Sequence, residues 1–236
     1  MEPAIFCWSG GKDSALCLHK IIQEGEFDIK YLLTTVNEQY KRISMHGVRE
    51  ELLEEQAQSI GIPLIKIYVN EGTNAEYERK MEDTLLQLKK QGIQHVVFGD
   101  IFLEDLRRYR ENNLAKVKMT GVFPLWKKDT TQLLKEFIAF KFKTIICCTN
   151  DAFLGEDWVG KYIDEKFLAS LPDNVDACGE NGEYHTFCFD GPVFKSPIKI
   201  KAGEKIYKPL EIKTTDDCGL PQGKTKGFWF CELTKL

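Results

Sequence analysis

Ser9-Gly10-Gly11-Lys12-Asp13-Ser14 is the stretch on which the reading of this chain turns. It follows a short apolar run, Ala4-Ile5-Phe6-Cys7-Trp8, and precedes a segment in which Ala15, Leu16, Leu18, Ile21 and Ile22 recur at helical spacing. The order is strand, glycine turn, helix. Adjacent glycines let the backbone turn tightly and approach a ligand with no Cβ in the way. The first-turn N–H groups of the helix, at its positive dipole end, suit an anion. Ser9, Lys12 and Ser14 add hydroxyl and ammonium donors, so the loop predicts a phosphate or pyrophosphate site. The bland alternative is a capped turn, with Ser9 or Asp13 as cap and Lys12 in solvent. The full string, placed directly after the first apolar run, favours the anion site. It has neither the longer spacing of a P-loop nor the three glycines of the dinucleotide fingerprint.

Outward from the loop, apolar and helical segments alternate. Lys30 to Val36 reads as a buried strand, and Glu50 to Ile60 as a helix ended by Gly61 with Pro63 beyond it. Leu64 to Val69 is a third strand, Tyr77 to Gln91 a helix stopped by Gly92, and Val96-Val97-Phe98 a fourth strand ended by Gly99-Asp100. This alternation predicts a parallel sheet with helices on its faces. Ligands gather at the carboxyl ends of such strands, near the point where strand order reverses. The Ser9 loop, Thr34-Thr35 and Gly99-Asp100 all lie at such ends.

From Ile101 the pattern changes. Phe102 to Val117 is a charged helix whose Arg107, Arg108 and Arg110 read mainly as a solvated face, with a smaller share turned to phosphate. Asp129-Thr130-Thr131 reads as a helix cap before Leu133 to Phe140, Thr144 to Thr149 is a strand, and Asp151 to Asp164 is a loop. The segments Ile198 to Ile200, Lys208 to Thr214 and Gly227 to Leu233 read as strands that finish the fold rather than form a site. The expected division is residues 1–125 and 126–236.

Composition narrows the class. The chain has 236 residues, 43% hydrophobic and 29% charged, with a net charge of -4. That balance carries no global basic signature, so nucleic acid is not the expected partner. No run reaches the length of a membrane span, and the N-terminus has no signal-peptide pattern. The eight cysteines are scattered without a Cys-x-x-Cys pair, which suits free thiols and a cytoplasmic location.

The second dense stretch is Cys178-Gly179-Glu180-Asn181-Gly182-Glu183-Tyr184-His185-Thr186. Glycines frame two carboxylates, an amide, a phenol and an imidazole. Glu, His and Tyr can move or share protons, and Glu can hold a divalent ion. A polar turn before a strand, with His185 at the surface, is the equal alternative from chemistry alone.

Together these motifs carry a resemblance. The Ser9–Ser14 string resembles the pyrophosphate loop of the ATP pyrophosphatase (PP-loop, adenine nucleotide alpha hydrolase) superfamily. With the Cys178–Thr186 stretch it is similar to the diphthine–ammonia ligase branch, and Met45-His46-Gly47, Val97 to Ile101, Pro124-Leu125-Trp126 and Phe189 to Phe194 agree. Asn181 departs from the glycine of many members, and suits the turn if a positive φ is needed there. The resemblance implies an α/β fold: an N-terminal Rossmann-like parallel sheet of PP-loop type with a smaller C-terminal α+β domain. It implies ATP, Mg²⁺ and ammonium, and amidation of a carboxylate acceptor, such as diphthine on elongation factor two, through an acyl-adenylate with release of AMP and pyrophosphate. On it, Ser9, Gly10, Gly11, Lys12, Asp13 and Ser14 hold phosphates, and Asp13 helps place the metal. Thr34, Met45, Gly99 and Asp100 lie beside the nucleotide. Glu180, Asn181, Glu183, Tyr184 and His185 shape the acceptor or ammonia site, with Lys12, Glu183 and His185 as the catalytic candidates. The resemblance extends to bacterial chains, which lack diphthamide, so it bears on the reaction class more than on the acceptor. The competing readings are a tRNA-modifying PP-loop enzyme and a non-catalytic ATP-binding protein.

Overall fold

A computed structural model of the chain describes residues 1–43, 47–70, 74–210 and 225–236, with Asn74 described for its backbone. The first sheet holds β1 (Glu2–Cys7), β2 (Phe27–Asn37), β3 (Arg42–Ile43), β4 (Leu64–Val69), β5 (His95–Val97) and β6 (Thr120–Val122). β1 pairs in parallel with β2 on one side and β5 on the other; β4 extends the sheet beyond β2, and β6 beyond β5. The short β3 runs antiparallel to the end of β2. Strand order therefore reverses at β1, and the Ser9 loop leaves the sheet at that switch point.

The helices α1 (Lys12–Glu24), α2 (Glu50–Ile60), α3 (Asn74–Lys90), α4 (Glu104–Lys116), α5 (Thr130–Ala139) and α6 (Glu165–Ser170) connect and cover the strands. Gly25 and Gly61 end α1 and α2 in the left-handed conformation, where a Cβ is costly. Asp129 caps α5 by accepting from Gln132 N at 2.7 Å. Alternation along β1 sorts the core into two layers. Ala4 and Phe6 point to a cluster with Leu16, Leu53, Phe137, Ile146 and Phe187, whereas Ile5 points to Leu85, Leu88, Val96 and Leu114 of the α3–α4 face.

The second sheet is antiparallel, in the order β8 (Tyr184–Asp190), β7 (Lys143–Asn150), β10 (Gly227–Lys235) and β9 (Ile200–Pro209). It shares the first core cluster with α1, α2 and α5, so its inner face and one face of the parallel sheet desolvate each other. Three local expectations shift. Residues Asp151 to Asp164 contain a short 3-10 turn, Glu156–Trp158, and α6 follows directly. The strand expected over Lys208 to Thr214 ends at Pro209, and residues 211–224 lie outside the described part. The C-terminal strands are not only finishing structure, because Phe228 and Phe230 wall the main cleft. Cys7, Cys17, Cys147, Cys148, Cys178, Cys188 and Cys231 are free thiols. Among the described residues no helix is long and apolar enough to cross a membrane.

Candidate active site

A cleft of about 1080 Å³ opens where β1, β2 and β5 end, and the Cys178–Thr186 segment forms its opposite wall. Both dense stretches of the sequence thus meet across one space. The contact is direct. Lys12 N donates to Thr186 Oγ1 at 2.9 Å, and the Lys12 ammonium donates to the Cys178 carbonyl. An ion pair with Asp13 at 2.7 Å completes its shell, and the Tyr184 ring lies 5.2 Å away. Lys12 is only 3% exposed, so the solvated alternative for this residue fails. Burial works against its charge, but the Asp13 carboxylate outweighs it and holds the ammonium above the ordinary lysine range.

The loop itself is built by small groups. Gly11 is the N-cap residue of α1 with no side-chain cap bond, so neither Ser9 nor Asp13 caps it. Ser9 Oγ donates to Ser14 Oγ at 3.1 Å, and Ser14 Oγ donates to the Gly11 carbonyl at 2.9 Å. Ser9 Oγ accepts from Gly11 N at 3.3 Å and Thr186 from Lys12 N; the N–H groups of Asp13 and Ser14 have no intrahelical acceptor, and both residues line the cleft. Gly10 does not line it. Its φ of +78° turns the carbonyl toward the protein, where Gln56 Nε2 (2.9 Å) and Cys188 N (2.9 Å) donate to it. A Cβ on Gly10 would stand 2.7 Å from Gln56 Oε1, so this glycine serves close packing. Gly99 brings the end of β5 against α1: a Cβ there would lie 3.4 Å from the Asp13 backbone.

Thr34, Gly99 and Asp100 all line the cleft; Met45 lies outside the described residues. Arg110 grips Asp100 with Nε at 2.5 Å and Nη2 at 3.0 Å, and its guanidinium sits 4.4 Å from the Phe98 ring centre. Of the three arginines on α4, Arg110 is a cleft residue, whereas Arg107 stacks on Phe123 and Trp126.

On the opposite wall, Glu180, Asn181, Tyr184 and His185 line the cleft. Glu180 Oε1 accepts from Ile101 N at 2.8 Å, which ties this wall to the loop after β5. Burial, with the nearby Asp13 carboxylate, pushes the Glu180 carboxyl up to about 7, against the pull of the Ile101 N–H and Lys12. The folded chain therefore binds a proton here more tightly than the unfolded chain does. Stability is expected to fall as pH rises from about 4.5 to about 7 through this group. Glu180→Gln should flatten that slope in melting curves taken across the window, and an unchanged slope would remove Glu180 as its source.

Glu183 differs from its neighbours. It is 1% exposed, is not on the cleft wall, and its Oε1 accepts from Asp176 N (2.9 Å) and Asn181 Nδ2 (3.1 Å). A direct proton-transfer role in the cleft does not match this placement: its bonds to Asp176 N and Asn181 Nδ2 hold the carboxylate within its own turn. The positive φ values of this turn fall on Gly179 (+68°) and Gly182 (+84°), not on Asn181, so asparagine costs nothing there. Asp176, which the motif reading missed, organises the turn. Its Oδ1 accepts from Cys178 N and Glu180 N, and its Oδ2 from Thr130 Oγ1 at 2.6 Å. An Asp two residues before a Cys-Gly turn is an Asx-turn signal and was available in the sequence. Gln56 was also missed. A polar residue on the apolar stripe of α2 is the mark it leaves.

Among the described residues no group of three or more side chains is arranged as a metal cage. Mg²⁺ seldom needs one: it takes one or two carboxylates, phosphate oxygens and water. The Asp13 carboxylate, on the cleft wall and 29% exposed, fits that donor set.

Comparison with known proteins agrees with this architecture. The family model described as the diphthamide synthase N-terminal domain matches residues 2–119, and the diphthamide synthase C-terminal domain matches residues 129–215. The diphthine–ammonia ligase of Danio rerio is 28% identical over 97% of this chain and 93% of its own length. That of Mus musculus is 29% identical over 84% of the chain and 82% of its own. That of Saccharomyces cerevisiae is 25% identical over 97% of the chain but only 39% of the yeast protein. With both domain models matched in order along its length, the chain belongs to the diphthamide synthase family.

Proposed function

We propose that this protein is an ATP-dependent, AMP-forming ligase that converts a carboxylate to an amide with ammonia. The observation that carries the reading is the junction of the Ser9–Ser14 loop with the Cys178–Thr186 wall through Lys12. A carboxylate is a poor electrophile. Attack of its oxygen on the α-phosphorus of ATP expels pyrophosphate and leaves an acyl-adenylate. Ammonia then attacks the acyl carbon, AMP departs, and one proton is released.

In this reading, residues 1–125 hold ATP and residues 126–236 shape the acceptor side. The free N–H groups of Asp13 and Ser14, the serine hydroxyls and the Lys12 charge stabilise the departing pyrophosphate. Mg²⁺, held by Asp13 and phosphate oxygens, supplies further neutralisation of that charge when bound. Thr34, Gly99 and Asp100 border the nucleotide, with Arg110 holding Asp100 in place. Glu180, Asn181, Tyr184 and His185 face the acceptor, and His185 takes the proton released in the second step. The acceptor we assign is the diphthine carboxylate of elongation factor two, after the activity for which the relatives are named.

The test is incubation with ATP, ammonium chloride and diphthine-bearing elongation factor two. AMP and pyrophosphate are expected, dependent on both ammonium and acceptor. Release of ADP, or AMP formation indifferent to ammonium, would overturn the reading.

A further inference from the structure

Two buried polar atoms, on Asn150 and Glu183, have no hydrogen-bond partner among the described residues. Asn150 ends β7, and Asn150 N donates to the Glu183 carbonyl at 2.9 Å. The ladder pairs Thr149 with Tyr184, so one further step sets Asn150 across from Glu183. Opposed residues of an antiparallel pair project to the same face. Asn150 is 0% and Glu183 1% exposed. Glu183 Oε1 is satisfied by Asp176 N and Asn181 Nδ2, and Asn150 Oδ1 by Ala152 N at 3.0 Å. Glu183 Oε2 and Asn150 Nδ2 have no hydrogen-bond partner among the described residues. One is an acceptor and the other a donor, on facing side chains, yet they do not bond to each other.

Leaving both unpaired would cost about 1–3 kcal/mol each. A small molecule that both donates and accepts satisfies the two together. We propose that Asn150 and Glu183 hold ammonia for the amide-forming step, an inference that rests on the ligase reading. Neutral ammonia donates to Glu183 Oε2 and accepts through its lone pair from Asn150 Nδ2. Ammonium ion lacks that lone pair, so it leaves the Asn150 donor unmet. Water has the same two capabilities and is the competing occupant. The position suits delivery: Asn181, whose amide bonds the other Glu183 oxygen, stands on the cleft wall. Ammonia passing Asn181 would enter the acceptor side of the cleft rather than the phosphate side.

The enclosure makes a prediction that needs no variant. The wild-type ligase should discriminate strongly against methylamine, because one added methyl group has no room in a close-packed interior. Glu183→Gln should raise KM for ammonium about tenfold or more, the loss of one hydrogen bond to a charged group, while KM for ATP holds within about twofold. Asn150→Ala removes a donor but opens space, and should raise the methylamine-to-ammonium ratio of kcat/KM about tenfold. Wild-type enzyme that uses methylamine as readily as ammonium would overturn the site. So would a Glu183→Gln change that shifts ATP and ammonium KM alike or leaves both unchanged, since water as a structural filler predicts no selective effect on ammonia. If the wild-type chain forms no AMP with acceptor and ammonium, the ligase reading itself falls and takes this site with it.

Discussion

Lys12→Ala is expected to lower acceptor- and ammonium-dependent AMP formation by about 100-fold or more, the usual loss when one preorganised charge-stabilising donor is removed. Lys12 sits at the first turn of α1, buried beneath the Tyr184 ring and tied to both Asp13 and the Cys178 carbonyl. Its charge cannot be replaced by solvent, because the side chain is 3% exposed. The alanine variant also leaves the Cys178 carbonyl without this donor, which confuses catalysis with stability. Lys12→Met keeps most of the stem packed against Tyr184 and removes only the ammonium. Both variants should lose turnover, with the methionine form retaining more of the wild-type melting temperature. A Lys12→Met enzyme with normal turnover would rule out the phosphate role.

The largest effect on stability is expected from Gln56→Leu. Gln56 is 0% exposed on α2, and its amide is fully used. Trp8 Nε1 donates to its Oε1 at 2.8 Å, and its Nε2 donates to the carbonyls of Gly10 (2.9 Å) and Cys188 (2.6 Å). One side chain therefore joins β1, the glycine loop, α2 and β8. Leucine matches the volume and removes all three bonds, leaving the Trp8 indole and the Cys188 carbonyl short of partners. About 2–4 kcal/mol should be lost, or roughly 5–15 °C in melting temperature for a chain of this size. Because the Gly10 carbonyl loses an anchor, KM for ATP should rise as well. A melting temperature equal to wild type would show that these bonds are not what holds the loop.

These expectations separate what local pattern reveals from what it hides. The strand, glycine turn and helix around Ser9 are legible because each signal is local: apolar run, adjacent glycines, helical period. The same holds for Gly61, where a helix stops at a residue that adopts positive φ freely. Arg110 was not separable from Arg107 by sequence. Both lie on one charged helix, and only packing shows that Arg110 reaches Asp100 while Arg107 covers Phe123 and Trp126. Gln56 is hidden for a related reason. Its hydrogen bonds run to Trp8, Gly10 and Cys188, partners distant in the chain that no short motif contains. Asp176 differs: its bonds to Cys178 N and Glu180 N are local and leave an Asx-turn signal, and only its bond to Thr130 is distant.

The stretch Cys178–Thr186 shows where the boundary falls. Its residue types and glycines declare a polar turn able to carry proton chemistry, and the order of helices and strands before it declares a parallel sheet with a cleft at the strand ends. Which side chains of that turn reach the cleft depended on register. A bulge between Ile146 and Cys148 sets His185 opposite Cys148 and Tyr184 opposite Thr149, and Asn150 N donates to the Glu183 carbonyl. Tyr184, His185 and Thr186 all line the cleft, whereas Glu183 is held off it by Asp176 N and Asn181 Nδ2. The pairing that sets this register is with a strand more than thirty residues earlier in the chain, and no local preference of these residues encodes it.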